Sequence, residues 1–62
     1  MISETELRKT RENFNRQQNK AMLEFMDLPI KHKMGKIGDN FNMKIYTLQI
    51  KIDVLDYVLE EL

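Results

Sequence analysis

The chain has 62 residues, no cysteine, and ten basic residues that are balanced by ten acidic ones. This length allows one small domain, which is only marginally stable without further support. The absence of cysteine excludes disulfides, thiolate metal sites and cysteine nucleophiles. The net charge of zero gives no overall argument for nucleic acid or a membrane as partner, and no apolar run could span a bilayer. We therefore expect a cytoplasmic protein with no membrane partner.

The first predicted helix covers residues 4–27. Ser3 and Glu6 have the spacing of a capping box, which places the start of the helix near Glu4. No Gly or Pro follows until the end of this segment, and most of its residues favour helix. Apolar residues recur at helical spacing and predict the face that packs against the rest of the chain. They are Leu7, Phe14, Ala21, Phe25 and Leu28, with Met22 and Met26 beside them.

Residues 28–38 are predicted to form a basic loop between two helices. Pro29 ends the first helix or opens a new turn, since it has no amide hydrogen to donate. Gly35 and Gly38 are the only glycines, and together they argue against a long regular element here. The loop is compatible with one helical turn after Pro29, and Asp39 is expected to cap the next helix. The loop contains no acidic residue, and its basic residues are Lys31, His32, Lys33 and Lys36.

The second predicted helix covers residues 40–61 and carries an unbroken heptad seam. Its apolar residues step alternately by four and three, which is typical of a helix that packs along its whole length. One core position of the heptad is mostly Ile, and the other is Leu. This combination suits a parallel two-stranded coiled coil, in which Lys51 would lie against Asp56 of a second copy. The seam residues are Phe41, Ile45, Leu48, Ile52, Leu55, Leu59 and Leu62.

A β-strand is the alternative for part of this segment. Residues 47–54 alternate between apolar and polar side chains, and Gly38, Asp39 and Asn40 could form a hairpin turn. This pattern predicts an α+β fold with a hairpin around residues 30–54. We favour the helix, because the heptad spacing holds from residue 41 to residue 62 while the alternation breaks at Tyr46 and Thr47.

The second predicted helix also carries another apolar stripe, about 160° from the first by the helical angle per residue. A helix that is apolar on two opposite faces belongs inside an assembly. The first helix can cover one face, but no other segment is long enough to cover the second. We therefore expect an all-α fold, an antiparallel helical hairpin that dimerises into a four-helix bundle. The second stripe consists of Met43, Thr47, Ile50, Val54 and Tyr57.

Residues that could perform catalysis are scarce. His32 is the only histidine and lies between two lysines. Ser3 is the only serine, and it is expected to cap a helix. No nucleophile and base can be assembled from the remaining residues, so we expect no enzyme, no cofactor, no metal and no small-molecule substrate. We interpret the acidic edge of the second helix as solvated or as facing basic groups of a partner. It consists of Asp53, Asp56 and Glu60.

One face of the first helix is rich in cationic and amide side chains. Such side chains can contact phosphates and base edges, although plain solvent exposure or an acidic protein partner are the alternatives. The basic loop would add to either binding interpretation. The candidate residues for a protein or nucleic-acid partner are Lys9, Arg11, Asn13, Arg16, Lys20, Lys31, Lys33 and Lys36.

These features favour a small, non-enzymatic protein-binding regulator or inhibitor, of the kind encoded by phages and other mobile elements, that dimerises through its second helix. One alternative is a nucleic-acid-binding regulator that uses the basic face of the first helix. Another alternative is a structural or scaffolding subunit of a larger assembly.

Overall fold

Two long antiparallel helices with a short helix between them make up the fold. The computed structural model describes residues 3–62, in which α1 spans Glu4–Met26, α2 spans Ile30–Lys33 and α3 spans Lys36–Glu60. α1 packs antiparallel on α3, and α2 packs on the start of α3. No strand occurs in residues 3–62, so the predicted all-α hairpin is confirmed and residues 47–54 are helical. The hairpin is 45 Å long and 14–16 Å across.

α1 begins and ends close to its predicted limits. The amide of Glu6 donates a hydrogen bond to the Ser3 hydroxyl at 3.2 Å, so Ser3 is the N-cap. Glu4 and Glu6 place negative charge at the positive end of the helix dipole. The helix ends at Met26, and Pro29 prevents its continuation because it cannot donate to the preceding turn.

The connection between the long helices is more regular than the sequence predicted. α3 begins at Lys36, four residues before the expected start, and Gly35 is its N-cap. The amide of Asp39 donates to the Gly35 carbonyl at 3.0 Å, so Asp39 lies inside the first turn and the prediction that it caps the helix is wrong. One helical turn, α2, follows Pro29. Only short connections on either side of it remain of the predicted loop.

Gly38 lies inside α3, and there is a steric reason for a glycine at this position. It is buried, and a Cβ atom at this position would lie 2.0 Å from the carbonyl oxygen of Lys33. Its φ angle is not positive, so its function is steric and not conformational. The missing side chain allows the end of α2 to pack directly against the first turn of α3. Gly35 thus lies in the break between α2 and α3, as the sequence predicted, whereas Gly38 lies inside a helix, contrary to the prediction.

The core lies along one line between α1 and α3. Ala21, Leu48 and Ile52 are the buried apolar residues of the described chain, each 4 % exposed or less. The small side chain of Ala21 lets the two helices approach closely. On α1 and just after its end, the buried and half-buried residues repeat with steps of four and three. They are Leu7, Arg11, Phe14, Gln18, Ala21, Phe25 and Leu28.

None of the three helices in residues 3–62 has the length and apolarity that crossing a membrane requires.

Candidate interaction surfaces

The heptad seam of α3 packs against α1, and we call it the inner seam. Leu48 and Ile52 are buried at its centre, and the side chains towards either end are half-buried. Leu62 follows the end of α3 and is exposed. The inner seam consists of Phe41, Ile45, Leu48, Ile52, Leu55 and Leu59.

The second apolar stripe of α3 lies on the opposite side of the helix from α1, and we call it the outer stripe. Ile50 is 46 % exposed, and Met43, Val54 and Tyr57 are more exposed still. Thr47 is exposed as well. Tyr46 and Val58 lie beside these residues and extend the apolar area. The hairpin therefore leaves uncovered the surface for which the sequence predicted a second chain. The outer stripe consists of Met43, Thr47, Ile50, Val54 and Tyr57.

Charged residues that flank the inner seam make contacts between α3 and α1. The guanidinium of Arg11 donates to the carboxylate of Asp56, with its second nitrogen 3.4 Å from the second oxygen. This hydrogen bond and the negative charge of Asp56 raise the pKa of Arg11 above its ordinary value. The ammonium of Lys51 lies 5.3 Å from the centre of the Phe14 ring, within the range of a cation–π interaction. Lys51 and Asp56, which the sequence paired between copies, thus contact α1 of their own chain.

Gln18 is a buried polar residue that the sequence analysis did not select. It is 5 % exposed, and its amide nitrogen donates to the Ile45 carbonyl at 3.2 Å and to the Gln49 side chain at 2.8 Å. Gln49 in turn donates to Asp53 at 2.9 Å. The heptad repeat on α1 was the available signal, because position 18 falls between Phe14 and Ala21 at steps of four and three. These hydrogen bonds connect the two helices at one defined register.

Fewer basic side chains on α1 are free of a carboxylate partner than the sequence suggests. All three arginines bind carboxylates: Arg8 binds Glu4 and Arg16 binds Glu12, each at 2.8 Å, while Arg11 binds Asp56 on α3. Of the remaining candidates on this helix, Lys9, Asn13 and Lys20 are exposed. The structure therefore does not bring the eight predicted partner residues together on one surface.

The other three candidates lie at the turn end of the hairpin, far from Lys9. Lys31 and Lys36 are exposed, and the ammonium of Lys33 lies 6.0 Å from the centre of the Phe25 ring. Two apolar residues in the same segment, Ile30 and Met34, are 75 % and 83 % exposed. Basic and apolar side chains thus share this end of the molecule.

The opposite end of the hairpin contains an open groove of about 620 Å³ between α1 and α3. Its charged groups are of both signs, two basic and three acidic, and Arg11 and Asp56 among them bind one another. The groove therefore presents no field of a single sign that would attract an ion. Its lining residues are Arg8, Arg11, Glu12, Asn15, Asp56, Leu59 and Glu60. Within residues 3–62, no group of three or more His, Asp or Glu residues is arranged to hold a metal ion.

Comparisons with known proteins give no relative from which a role could be transferred. No family model, no curated protein and no solved structure matches this chain.

Proposed function

We propose that this protein is a small non-enzymatic regulator or inhibitor that binds another protein, and that it does so as a homodimer formed through the outer stripe of α3. The observation that carries the dimer is the exposure of this stripe on a helix whose other face is already packed. The only histidine, His32, is an exposed residue of the turn segment and lies apart from the core. A protein of this size with such a surface acts most simply by occupying a partner.

The size of the exposed area of the hairpin also supports the dimer. The chain exposes 5154 Å². An average monomeric protein of the same 7.5 kDa mass exposes about 4,250 Å². The excess of about 900 Å² is close to the roughly 800 Å² that each partner contributes to a stable interface of standard size. Burial of about 800 Å² against a second copy would therefore bring the exposed area of each chain close to that of an average monomer of this mass.

The position of the outer stripe determines how the four helices of the dimer would lie. The two apolar faces of α3 are about 160° apart. The two α3 helices would therefore pair at the centre, with one α1 on each outer side. Such a dimer is a flattened row of four helices, because a compact bundle needs adjacent and not opposite apolar faces.

The charges beside the outer stripe favour a parallel dimer. Asp53 and Glu60 lie along one edge of the stripe, and Lys44 and Lys51 lie along the other. A parallel two-fold pair places the acidic edge of one copy beside the basic edge of the other, whereas an antiparallel pair places like edges together. Lys51 reaches towards Phe14 in the hairpin but keeps its charge on the same side of α3.

The dimer is tested by placing a charge in the outer stripe. Ile50→Glu should convert a species of twice the 7.5 kDa chain mass into a monomer, measured by sedimentation equilibrium across the micromolar range. Circular dichroism should still report a helical protein, because Ile50 does not pack on α1. Leu23→Glu is the matched control, since Leu23 is an exposed apolar residue of α1 and should leave the dimer intact. A wild-type protein that stays a folded monomer at these concentrations would contradict the proposal.

The orientation of the dimer is tested with single cysteines, which is feasible because the chain has none of its own. Met43→Cys and Tyr57→Cys lie near the two ends of the outer stripe. In a parallel dimer each variant forms a disulfide with its own copy, because equivalent residues face each other across the axis. In an antiparallel dimer only a mixture of the two variants is linked efficiently.

Nucleic-acid binding has less support, because all three arginines bind carboxylates of the same chain. It would be indicated by an affinity that falls steeply with added salt and that drops in a variant carrying Lys9→Gln and Lys20→Gln. A scaffolding subunit would form indefinite oligomers in the same sedimentation experiment, in place of a closed dimer.

A further inference from the structure

The turn end of the hairpin presents apolar and basic side chains together, and we call residues 22–37 at this end the tip. We propose that the tip binds an anionic lipid surface. This proposal is independent of the dimer, since the tip lies outside the outer stripe.

The apolar part of the tip is more exposed than a folded domain normally leaves such side chains. Met34 and Ile30 are 83 % and 75 % exposed, and Leu23 and Met26 are both more than three-fifths exposed. Ile30 and Met34 are one helical turn apart, so they project from the same side of α2. Single exposed apolar residues need no explanation, but several in one short segment indicate a binding surface.

The charge of the tip restricts the class of partner. Residues 28–38 contain no acidic residue, and Lys31 and Lys36 are exposed there among the apolar side chains, whereas the acidic residues of the tip, Glu24 and Asp27, precede this segment. The net charge of zero, which argued against a membrane partner, is an average over the chain, while residues 28–38 carry positive charge without a negative one. The surface that complements the tip is therefore both negatively charged and able to receive apolar side chains.

The shape of the tip favours lipid over a folded protein. The tip is the convex end of a rod 45 Å long and 14–16 Å across. The surface of a fluid bilayer adapts to the end of such a rod, whereas a folded protein partner would need a surface of complementary shape. Apolar insertion combined with basic residues is also the pair of signals that gives stable binding to an anionic membrane surface without a spanning helix.

The fold holds the tip in place before it meets a surface. The Lys33 carbonyl lies where a side chain at Gly38 would have to be, so α2 is packed closely against the start of α3. Hydrogen bonds from His32 and Lys33 to the Pro29 carbonyl, at 2.9 and 3.0 Å, close the α2 turn. Ile30 and Met34 are thus presented in a fixed arrangement, and little conformational freedom is lost on binding.

Co-sedimentation with vesicles tests the proposal. The probes are vesicles of phosphatidylcholine alone and vesicles in which part of it is replaced by phosphatidylglycerol. We expect the protein to sediment with the anionic vesicles and not with the neutral ones. The variant Lys31→Gln with Lys36→Gln should bind about 25-fold more weakly at low salt, because each lysine near an anionic surface contributes about fivefold. The variant Ile30→Ser with Met34→Ser should lose at least about tenfold.

Two matched controls locate the contact. Lys44→Gln with Lys51→Gln removes the same charge from α3, and Ile50→Ser removes an apolar side chain from the outer stripe. Both control variants should retain most of the binding to anionic vesicles. The helical circular dichroism of each tip variant should match that of the wild type, because these side chains project into solvent.

Several results would overturn the proposal. Failure to sediment with anionic vesicles is one, and binding that the loss of Ile30 and Met34 does not weaken is another. Loss of binding in the α3 controls alone would assign the contact to the outer stripe. Tip-dependent binding to poly-glutamate without binding to vesicles would identify an acidic protein as the partner and would exclude lipid.

Discussion

The two faces of α3 have similar apolar content but opposite surroundings. The inner seam packs on α1, where Leu48 and Ile52 are both 4 % exposed. The outer stripe lies in solvent, and its central residue Ile50 is 46 % exposed. Helical periodicity alone treats the two faces as equivalent. What distinguishes them is that α1 offers only one apolar face, and a hairpin of two helices can bury only one face of each.

The two faces also differ in how they specify their partner. The inner seam is accompanied by Gln18, which binds Ile45 and Gln49, and by the Arg11–Asp56 pair. The buried amide of Gln18 finds its hydrogen-bond partners at only one register, and the partly exposed Arg11–Asp56 pair requires the same register. The outer stripe is flanked by charges, and its one polar member, Thr47, is exposed. The pairing that we propose for this stripe should therefore be weaker than that of the inner seam and should depend on protein concentration.

The largest expected effect comes from truncating the centre of the inner seam. Leu48→Ala should lower the free energy of unfolding by about 2–5 kcal/mol, because it removes buried methyl groups and leaves a cavity. If this variant does not fold, Ile52→Val gives a milder test, with an expected loss of about 0.5–1.5 kcal/mol.

Ile50→Ala on the outer stripe is the matched substitution. At low protein concentration it should change the free energy by no more than about 0.5 kcal/mol, since its side chain is largely in solvent. The change should grow with concentration if the outer stripe forms a dimer. Urea unfolding followed by circular dichroism at two protein concentrations measures both quantities. Equal losses for Leu48→Ala and Ile50→Ala at low concentration would remove the distinction between the two faces.

The next effect concerns the glycine that fixes α2 against α3. Gly38→Ala introduces a Cβ atom 2.0 Å from the Lys33 carbonyl oxygen, so the backbone has to shift. We expect a loss of about 1–3 kcal/mol, which is typical of overpacking, despite the better helix propensity of alanine.

Gly35→Ser is the control for that substitution. A Cβ atom at residue 35 would lie 3.5 Å from its nearest neighbour, an ordinary contact, and serine is a better N-cap than most residues. We expect this variant to be as stable as the wild type or slightly more stable in the same unfolding experiment. If both variants unfold alike, close packing at Gly38 does not explain the start of α3.

A smaller loss than that of Leu48→Ala should come from replacing the buried amide of Gln18, which joins α1 to the inner seam. Gln18→Ala should cost about 1–2 kcal/mol, because it removes the hydrogen bonds to Ile45 and Gln49 together with packed side-chain atoms. Gln18→Leu keeps most of the volume and should change the free energy by less than about 1 kcal/mol.

The two Gln18 variants should differ more in dynamics than in stability. If the amide fixes the register, amide hydrogen exchange in the middle of α1 should be faster in Gln18→Leu than in the wild type despite similar stability. Unchanged exchange in this variant would show that apolar packing alone defines the register.

Much of the hairpin followed from local features of the sequence. Ser3 and Glu6 predicted the start of α1, and the heptad spacing from Phe41 onwards predicted the second long helix and one of its two apolar faces. The start of α3 was missed because Gly38 is a helix breaker by propensity. Its presence inside a helix depends on the Lys33 backbone, which only the folded chain brings close.

The candidate surfaces were predicted less well than the helices. The sequence grouped Arg11 and Arg16 with the lysines as a basic face, whereas in the structure both bind carboxylates. The Arg16–Glu12 pair has the spacing of helix neighbours and could have been expected. The Arg11–Asp56 pair could not, because it depends on the register between two helices that are distant in sequence.

The sequence by itself determined the helices and the two apolar faces of α3, because residue spacing and helical geometry fix which side chains share a face. Only the tertiary structure decided which face α1 covers, and with it which charges bind within the chain. It also decided that Ile30 and Met34 project from a fixed α2 turn. These outcomes depend on contacts between residues far apart along the chain, whose energies are not encoded in any local pattern.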